Sequence, residues 1–176
     1  MPRVTLPSGE IRDQIRMDLF DTLVQSASFF GEQKFFTNTQ GKSSVDTNLR
    51  LNGTLENQVS FLVQGVGMDA ITYAAGLDLV LAEVLDRSAI KLVIGEKEYL
   101  RAPTRFIAGK MRTTNDLIAQ YGSNRDSVYS LKGEDSISIP PVQTFSLNLQ
   151  VDTAVVPTAA IRYVASLKGL MRRPVQ

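Results

Sequence analysis

The feature that most constrains this chain is a strict alternation of apolar and polar side chains. Phe145, Leu147, Leu149 and Val151 alternate with Ser146, Asn148 and Gln150. Ile161, Tyr163, Ala165 and Leu167 repeat the pattern, as do Val59, Phe61 and Val63, and Ile90, Leu92 and Ile94. A period of two places alternate side chains on one face of an extended strand. A strand with one apolar and one polar face belongs to an antiparallel sheet buried on one side only. The 176 residues suit one domain, and a chain near this size buries roughly 70% of its unfolded surface. Two sheets packed face to face are then the natural solution.

Turn signals separate the strands. Gly95-Glu96 turns Ile90–Ile94 back into Tyr99, and Pro103 ends that pair. Ile137 and Ile139 form a short strand stopped by Pro140-Pro141, and Asn52-Gly53 is a tight-turn or bulge signal. Ser28–Thr37 reads as aromatic strand material, with Phe29, Phe30, Phe35 and Phe36 around a turn at Gly31; Asp46–Leu55 alternates at Leu49 and Leu51. In all, about eight short strands with turns between them imply an all-β, antiparallel sandwich or barrel with one or two short helices. Jelly-roll and immunoglobulin-like arrangements are both open. The absence of Trp and Cys weighs against the second, whose hallmarks are a core Trp and a disulfide.

Three stretches are less regular. Ile11, Ile15, Leu19 and Leu23, with Phe20 and Val24, recur at i, i+4, i+8 and predict a helix over Ile11–Val24, capped near Ser8 or Gly9; a strand over Met17–Val24 is the open alternative. Ala70–Asp86 fits either a buried strand or a short helix, the helix or an irregular crossing being expected near Asp78–Asp86. Met111–Arg125 is a polar excursion with a helical pattern at Asp116–Gln120. Pro2, Pro7 and Gly9 make the first ten residues an arm. The expected division is therefore 1–27, an N-terminal arm and helix, and 28–176, a single β domain.

The chemistry open to the chain is narrow. It has no histidine and no cysteine, which removes the usual proton shuttle, the commonest metal ligand and every thiol-based site. Gly41-Lys42-Ser43 resembles the end of a phosphate-binding loop, but Phe36 stands where its first glycine is needed. Gly65-Val66-Gly67 lacks the strand–helix alternation of a dinucleotide site. Glu96 and Glu98 flank Lys97 and read as a charged hairpin, not as a hydrolytic pair. Asn52-Gly53-Thr54 is formally a glycosylation acceptor, better read as a turn without a secretory route. The phenylalanine cluster fits a core better than a base-stacking platform. No catalytic, metal-binding or cofactor-binding residue and no cofactor is expected. A net charge of +1 gives no overall pull on nucleic acid, and the local basic candidate is Lys168, Arg172 and Arg173. No apolar run reaches the ~20 residues that span a bilayer, and Met1–Glu10 lacks a signal-peptide core. The expected compartment is the cytoplasm, unless a particle carries the chain out.

The order of several segments resembles a known family. Phe35-Phe36-Thr37-Asn38-Thr39-Gln40-Gly41-Lys42 leads into Asp46-Thr47-Asn48-Leu49, Asn52-Gly53-Thr54-Leu55 and Phe61-Leu62-Val63-Gln64-Gly65-Val66. Val93–Tyr99 with Ala102-Pro103, Ile137–Leu147 and Leu167–Gln176 follow. Together they resemble the vertical single jelly-roll major capsid proteins of tailless icosahedral phages with an internal membrane. The small kind, as in the Thermus phage with two major capsid proteins, is the most similar in length. The resemblance runs from about Phe35 onward and leaves Pro2–Val24 outside. It implies an eight-stranded jelly roll over 28–176 and a structural, non-enzymatic role in capsomers of an icosahedral shell. It further implies a virion location after synthesis in a host cytoplasm. The partners it implies are other copies, with a second capsid protein and internal membrane lipids as further candidates, and no specific nucleic-acid binding. Met1–Glu10 and Leu170–Gln176 are the expected intersubunit segments, with Arg172 and Arg173 toward headgroups or genome. A jelly-roll module that binds carbohydrate or another ligand is the competing reading.

Overall fold

A computed structural model describes residues 3–6, 8–26, 28–72, 83–84, 86–107, 114–115, 118–119, 128–131, 135–156 and 160–175. Strand accounts for 64% of the structure and helix for 6%, so the all-β expectation holds. The elements run β1 (Arg3–Thr5), β2 (Ile11–Gln25), β3 (Phe29–Phe35), β4 (Ser60–Thr72), β5 (Ser88–Ile94), β6 (Lys97–Pro103) and a single helical turn, α1 (Thr104–Ile107). Then come β7 (Thr114–Asn115), β8 (Ile118–Ala119), β9 (Val128–Ser130), β10 (Ile137–Ile139), β11 (Phe145–Val155) and β12 (Ile161–Pro174). Twelve strands are thus described where about eight were expected; the surplus is in pieces of two or three residues.

Two curled antiparallel sheets carry the fold. The first runs β1-β2-β12-β4-β10, with β9 also on β4; the second runs β3-β11-β5-β6. β7 and β8 pair only with each other. Four pairings are nested along the chain: β5 with β6, β4 with β10, β3 with β11 and β2 with β12.

The alternation read in the sequence sets the core. Along β12, Ile161, Tyr163, Ala165 and Leu167 point inward, and along β11 so do Phe145, Leu147, Leu149 and Val151. With Phe61, Val63, Ile90 and Leu92 they form one continuous cluster between the sheets. Each large side chain removed from water there contributes roughly 1.5–3 kcal/mol.

Ile11–Val24 is not a helix. It forms β2, paired with β12 along Arg12–Gln25. Positions four apart share a face in a helix and also in a strand, so Ile15, Leu19 and Leu23 fit both. The boundary drawn at residue 27 therefore lies between two strands of the sandwich, β2 and β3. The first residues are not a free arm either, because Arg3–Thr5 pairs with Ile11–Asp13 through a turn closed by Gly9 N–H to Leu6 O at 2.8 Å. Phe29–Phe35 runs through Gly31 without the expected break; the irregularity is a bulge in β11 between Val151 and Val155. Asp46–Leu55 is loop, tied down by isolated bridges at Thr47, Leu51 and Thr54. Glu83, Val84 and Asp86 are helical, and the rest of the Asp78–Asp86 expectation lies outside the described residues. So does most of Asp116–Gln120, where Ile118 and Ala119 are strand and not helix. Gly95-Glu96 turns β5 into β6 as expected.

The first sheet is the longer one. Its strands β2, β4 and β12 have 15, 13 and 14 residues, against seven to eleven in the second. Sheet two therefore cannot cover the whole inner face of sheet one. The overhang is covered by the long β3–β4 connection, and that connection shapes the surface discussed next.

Candidate functional site

The β3–β4 connection is held by a buried charge. Asp21, on the inner face of β2 between Leu19 and Leu23, is wholly inaccessible to solvent. Its Oδ1 lies 2.7 Å from Lys42 Nζ, and its Oδ2 accepts the Phe36 N–H at 2.7 Å. Lys42 also donates to Thr22 O at 2.8 Å. Phe36 sits at φ 69°, a region an aromatic residue rarely adopts. It is fixed there by the Asp21 contact, by Gly53 N–H donating to its carbonyl, and by packing on Phe145 at 5.5 Å between ring centres. A buried carboxylate is tolerated only when paired and hydrogen-bonded, and Asp21 has both kinds of partner.

The same connection covers the edge of β2 beyond β1. Asn48 imitates a strand residue. Its Oδ1 accepts the Phe20 N–H at 2.9 Å, its Nδ2 donates to Asp18 O at 2.7 Å, and its own N–H donates to Phe20 O. Thr47 Oγ1 adds a bond to Phe20 O at 3.0 Å. An uncovered edge is a template for uncontrolled pairing. Asn48→Ala is therefore expected to cost about 1–3 kcal/mol and to speed hydrogen exchange at the Phe20 amide, read by NMR. Unchanged exchange there would show that Asn48 does not seal the edge.

Between the overhang and this connection lies a groove of about 340 Å³, with Ile15, Met17, Leu51, Val59 and Met171 among its apolar walls and Arg50, Glu56 and Arg173 among its polar ones. It opens at the end of the sandwich that also carries the β5–β6 turn and the β10–β11 turn. Ile11, Leu51, Tyr99 and Val142 are exposed apolar side chains at this end, as Val24, Phe30 and Val156 are at the other.

The outer face of sheet two is polar. Glu98 is clamped by Arg101 through two bonds of 2.8 and 2.9 Å, and Asn148 donates to Glu32. The Arg101 hydrogen bond holds the Glu98 carboxyl below its ordinary range. On the covering loop, the Ser43 hydroxyl, followed by the charge of Arg162, does the same for Asp46. A depressed carboxyl contributes stability at neutral pH that is lost as pH falls through its folded-state value. Carboxyl-carbon NMR titration should give both midpoints below the usual carboxylate range, and a normal midpoint for either would show that its bonds do not persist in solution.

The structure separates most residues that the sequence had grouped. Lys42 of Gly41-Lys42-Ser43 is committed to Asp21 and to no phosphate cradle. Gly65-Val66-Gly67 lies inside β4, paired to β9 and β12, with Val66 in the core. Glu98 is taken by Arg101, while Glu96 stays exposed in the turn. The Asn52 side chain is locked by Thr39 N–H at 2.8 Å and Thr39 Oγ1 at 3.0 Å, so the glycosylation acceptor is a turn. Phe29, Phe35 and Phe36 are core and Phe30 is exposed. Lys168, Arg172 and Arg173 do not make one patch. They lie along β12, where Arg172 Nε, on one face, donates to Gln14 Oε1 at 3.2 Å, and Arg173, on the other, lines the groove. Leu170–Pro174 is sheet, not a free tail.

Asp21, Asn48 and the groove were missed by the sequence reading. The one available signal was Asp21, a carboxylate in register with an apolar stripe. Among the described residues no cluster of metal-ligating side chains occurs, and no helix is long and apolar enough to cross a membrane. What remains is a two-sheet fold with a sealed β2 edge and an apolar groove at one end. Comparison with protein-family models, with characterised proteins and with solved structures finds no match.

Proposed function

We propose that the chain is a structural major capsid protein, a single jelly roll whose copies assemble into capsomers of an icosahedral shell. The observation that carries this is the nested pairing. Strands β2, β3, β4 and β5 find their partners in reverse order, in β12, β11, β10 and β6. A long hairpin paired in this way and then rolled gives sheets ordered β2-β12-β4-β10 and β3-β11-β5-β6. That order supports a double-sheet reading with two Greek keys, an arrangement that recurs in viral shells and in lectins.

Fold alone does not choose between those uses. The absence of histidine and cysteine favours the shell, because a shell subunit needs no proton shuttle or metal. The sealed β2 edge favours it too, since a subunit stored at high concentration must avoid random strand pairing. Self-association through defined surfaces is the activity this reading requires. The further partners in this reading are a second capsid protein and internal-membrane lipids, with the virion as the location.

Electron microscopy and sedimentation of the purified full chain, alone and in particles that contain it, test the reading. The expected result is ring-like capsomers or shell fragments of fixed size. A strictly monomeric protein that never enters particles and binds a sugar would overturn it in favour of a ligand-binding module.

A further inference from the structure

The contact between Asp21 and Lys42 is already arranged as an amide is. Asp21 Oδ2 accepts the Phe36 N–H at 2.7 Å, as an amide carbonyl would. Lys42 Nζ donates to Thr22 O at 2.8 Å, as an amide N–H would. The remaining contact, Nζ to Oδ1 at 2.7 Å, runs between a nucleophile and the oxygen that would leave. A hydrogen bond to Oδ1 also brings Nζ close to Cγ, the carbon that carries it, and holds the amine beside the carboxyl in a near-attack position. Asp21 is wholly buried, so bulk water does not compete for the carboxyl, while the partly exposed Lys42 leaves an exit. The Phe36 N–H reaches Oδ2 from a backbone held at φ 69°. Strain of this kind is kept where a group has a task, and a donor on Oδ2 stands where negative charge develops when the carboxyl is attacked.

We propose that Lys42 and Asp21 condense after folding into an intramolecular amide between Nζ and Cγ. The newly folded chain carries the ion pair. One ammonium proton passes along the hydrogen bond to Oδ1, and the freed lone pair of Nζ attacks Cγ. Oδ1 takes a second proton from Nζ and leaves as water. The Cγ–Oδ1 bond is broken and the Cγ–Nζ bond is made; Oδ2 remains as the amide carbonyl on Phe36, and Nζ keeps one hydrogen for Thr22 O. No electron is gained or lost and no co-reactant is consumed. The product is neutral, so it removes two charges that are costly to keep in a protein interior. It closes a loop between residues 21 and 42, which restricts the unfolded chain as a disulfide does. The chain has no cysteine, so no disulfide can fasten the β3–β4 connection; the amide fastens it to β2 and holds the Asn48 seal in place. Nothing in this chemistry depends on the shell reading, which self-association tests separately.

Mass spectrometry of the purified full chain, denatured when fresh and after several weeks of storage in native buffer, is the test. The wild-type chain should become lighter than its sequence by one water. Trypsin should then fail to cut after Lys42 and release Met17–Lys34 joined to Phe35–Arg50, with fragmentation placing the link on Asp21 and Lys42. K42R keeps the ion pair with a guanidinium that does not condense, so it should fold and keep its full mass, as should D21A. Wild-type protein stored in urea should keep its full mass too, because the two groups meet only in the fold. A stored native chain that retains its full mass overturns the proposal and leaves Asp21 and Lys42 an ion pair. A loss of water that also occurs in K42R, or that maps to another residue pair, overturns it as well.

Discussion

Lys42→Ala should destabilise the fold by about 3–5 kcal/mol, a large share of the 5–15 kcal/mol typical of a domain. The substitution leaves the Asp21 carboxylate wholly buried with the Phe36 N–H as its remaining partner. The opposite change is milder. Asp21→Ala leaves Lys42, whose side chain is 20% exposed and long enough to carry its ammonium toward water; about 2 kcal/mol is expected, chiefly from the unpaired Phe36 amide. The double variant Asp21→Asn with Lys42→Met keeps an acceptor for Phe36 and strands no charge. It should recover most of the Lys42→Ala loss, as replacing a whole buried pair usually does. Urea unfolding of the four proteins at constant slope gives the values. Equal costs for the two alanine variants would show that Asp21 is not isolated from solvent.

Gly169→Ala should be comparably harmful, about 3 kcal/mol or more. Gly169 follows the bulge at which β12 shifts register against β4, between Lys168 and Gly169. A Cβ at this position would lie 2.0 Å from the Leu62 carbonyl oxygen and 3.0 Å from the Phe61 ring. The first obstacle is backbone and cannot swing aside, so the strands must part or the register must slip. A slip by one residue would turn the inner face of β12 outward. Thermal unfolding and near-ultraviolet circular dichroism report both outcomes. A variant with unchanged midpoint and native spectrum would show that the two strands are further apart than described.

The legible parts of this fold are those whose reason is local. The Ile90–Ile94 and Phe145–Val151 strands could be read because each residue's face follows from its own position in an alternating run. The Gly95-Glu96 turn could be read because glycine supplies the φ of 61° that the turn uses. The β2 strand could not. Its apolar residues are spaced by four, which is periodic in a helix and in a strand alike. The positions that would have decided the matter, Asp13 and Asp21, are inward-facing carboxylates that break the alternation. Their inward placement makes sense only with Arg3, 3.7 Å from Asp13, and with Lys42. The elements of the candidate site were hidden for the same reason. Asn48 seals an edge formed by residues 28 and 30 positions away in the chain, and the groove exists because one sheet outreaches the other.

The sequence by itself determined that this is an antiparallel two-sheet β protein without histidine or thiol chemistry, because composition and period two need no knowledge of neighbours. Only the tertiary structure decided that Ile11–Gln25 is a strand, that Asp21 and Lys42 form the lock of the β3–β4 connection, and that Asn48 seals the β2 edge. Each of these depends on a partner distant in sequence, and a pattern within one segment carries no information about a contact that the chain makes only after it has folded.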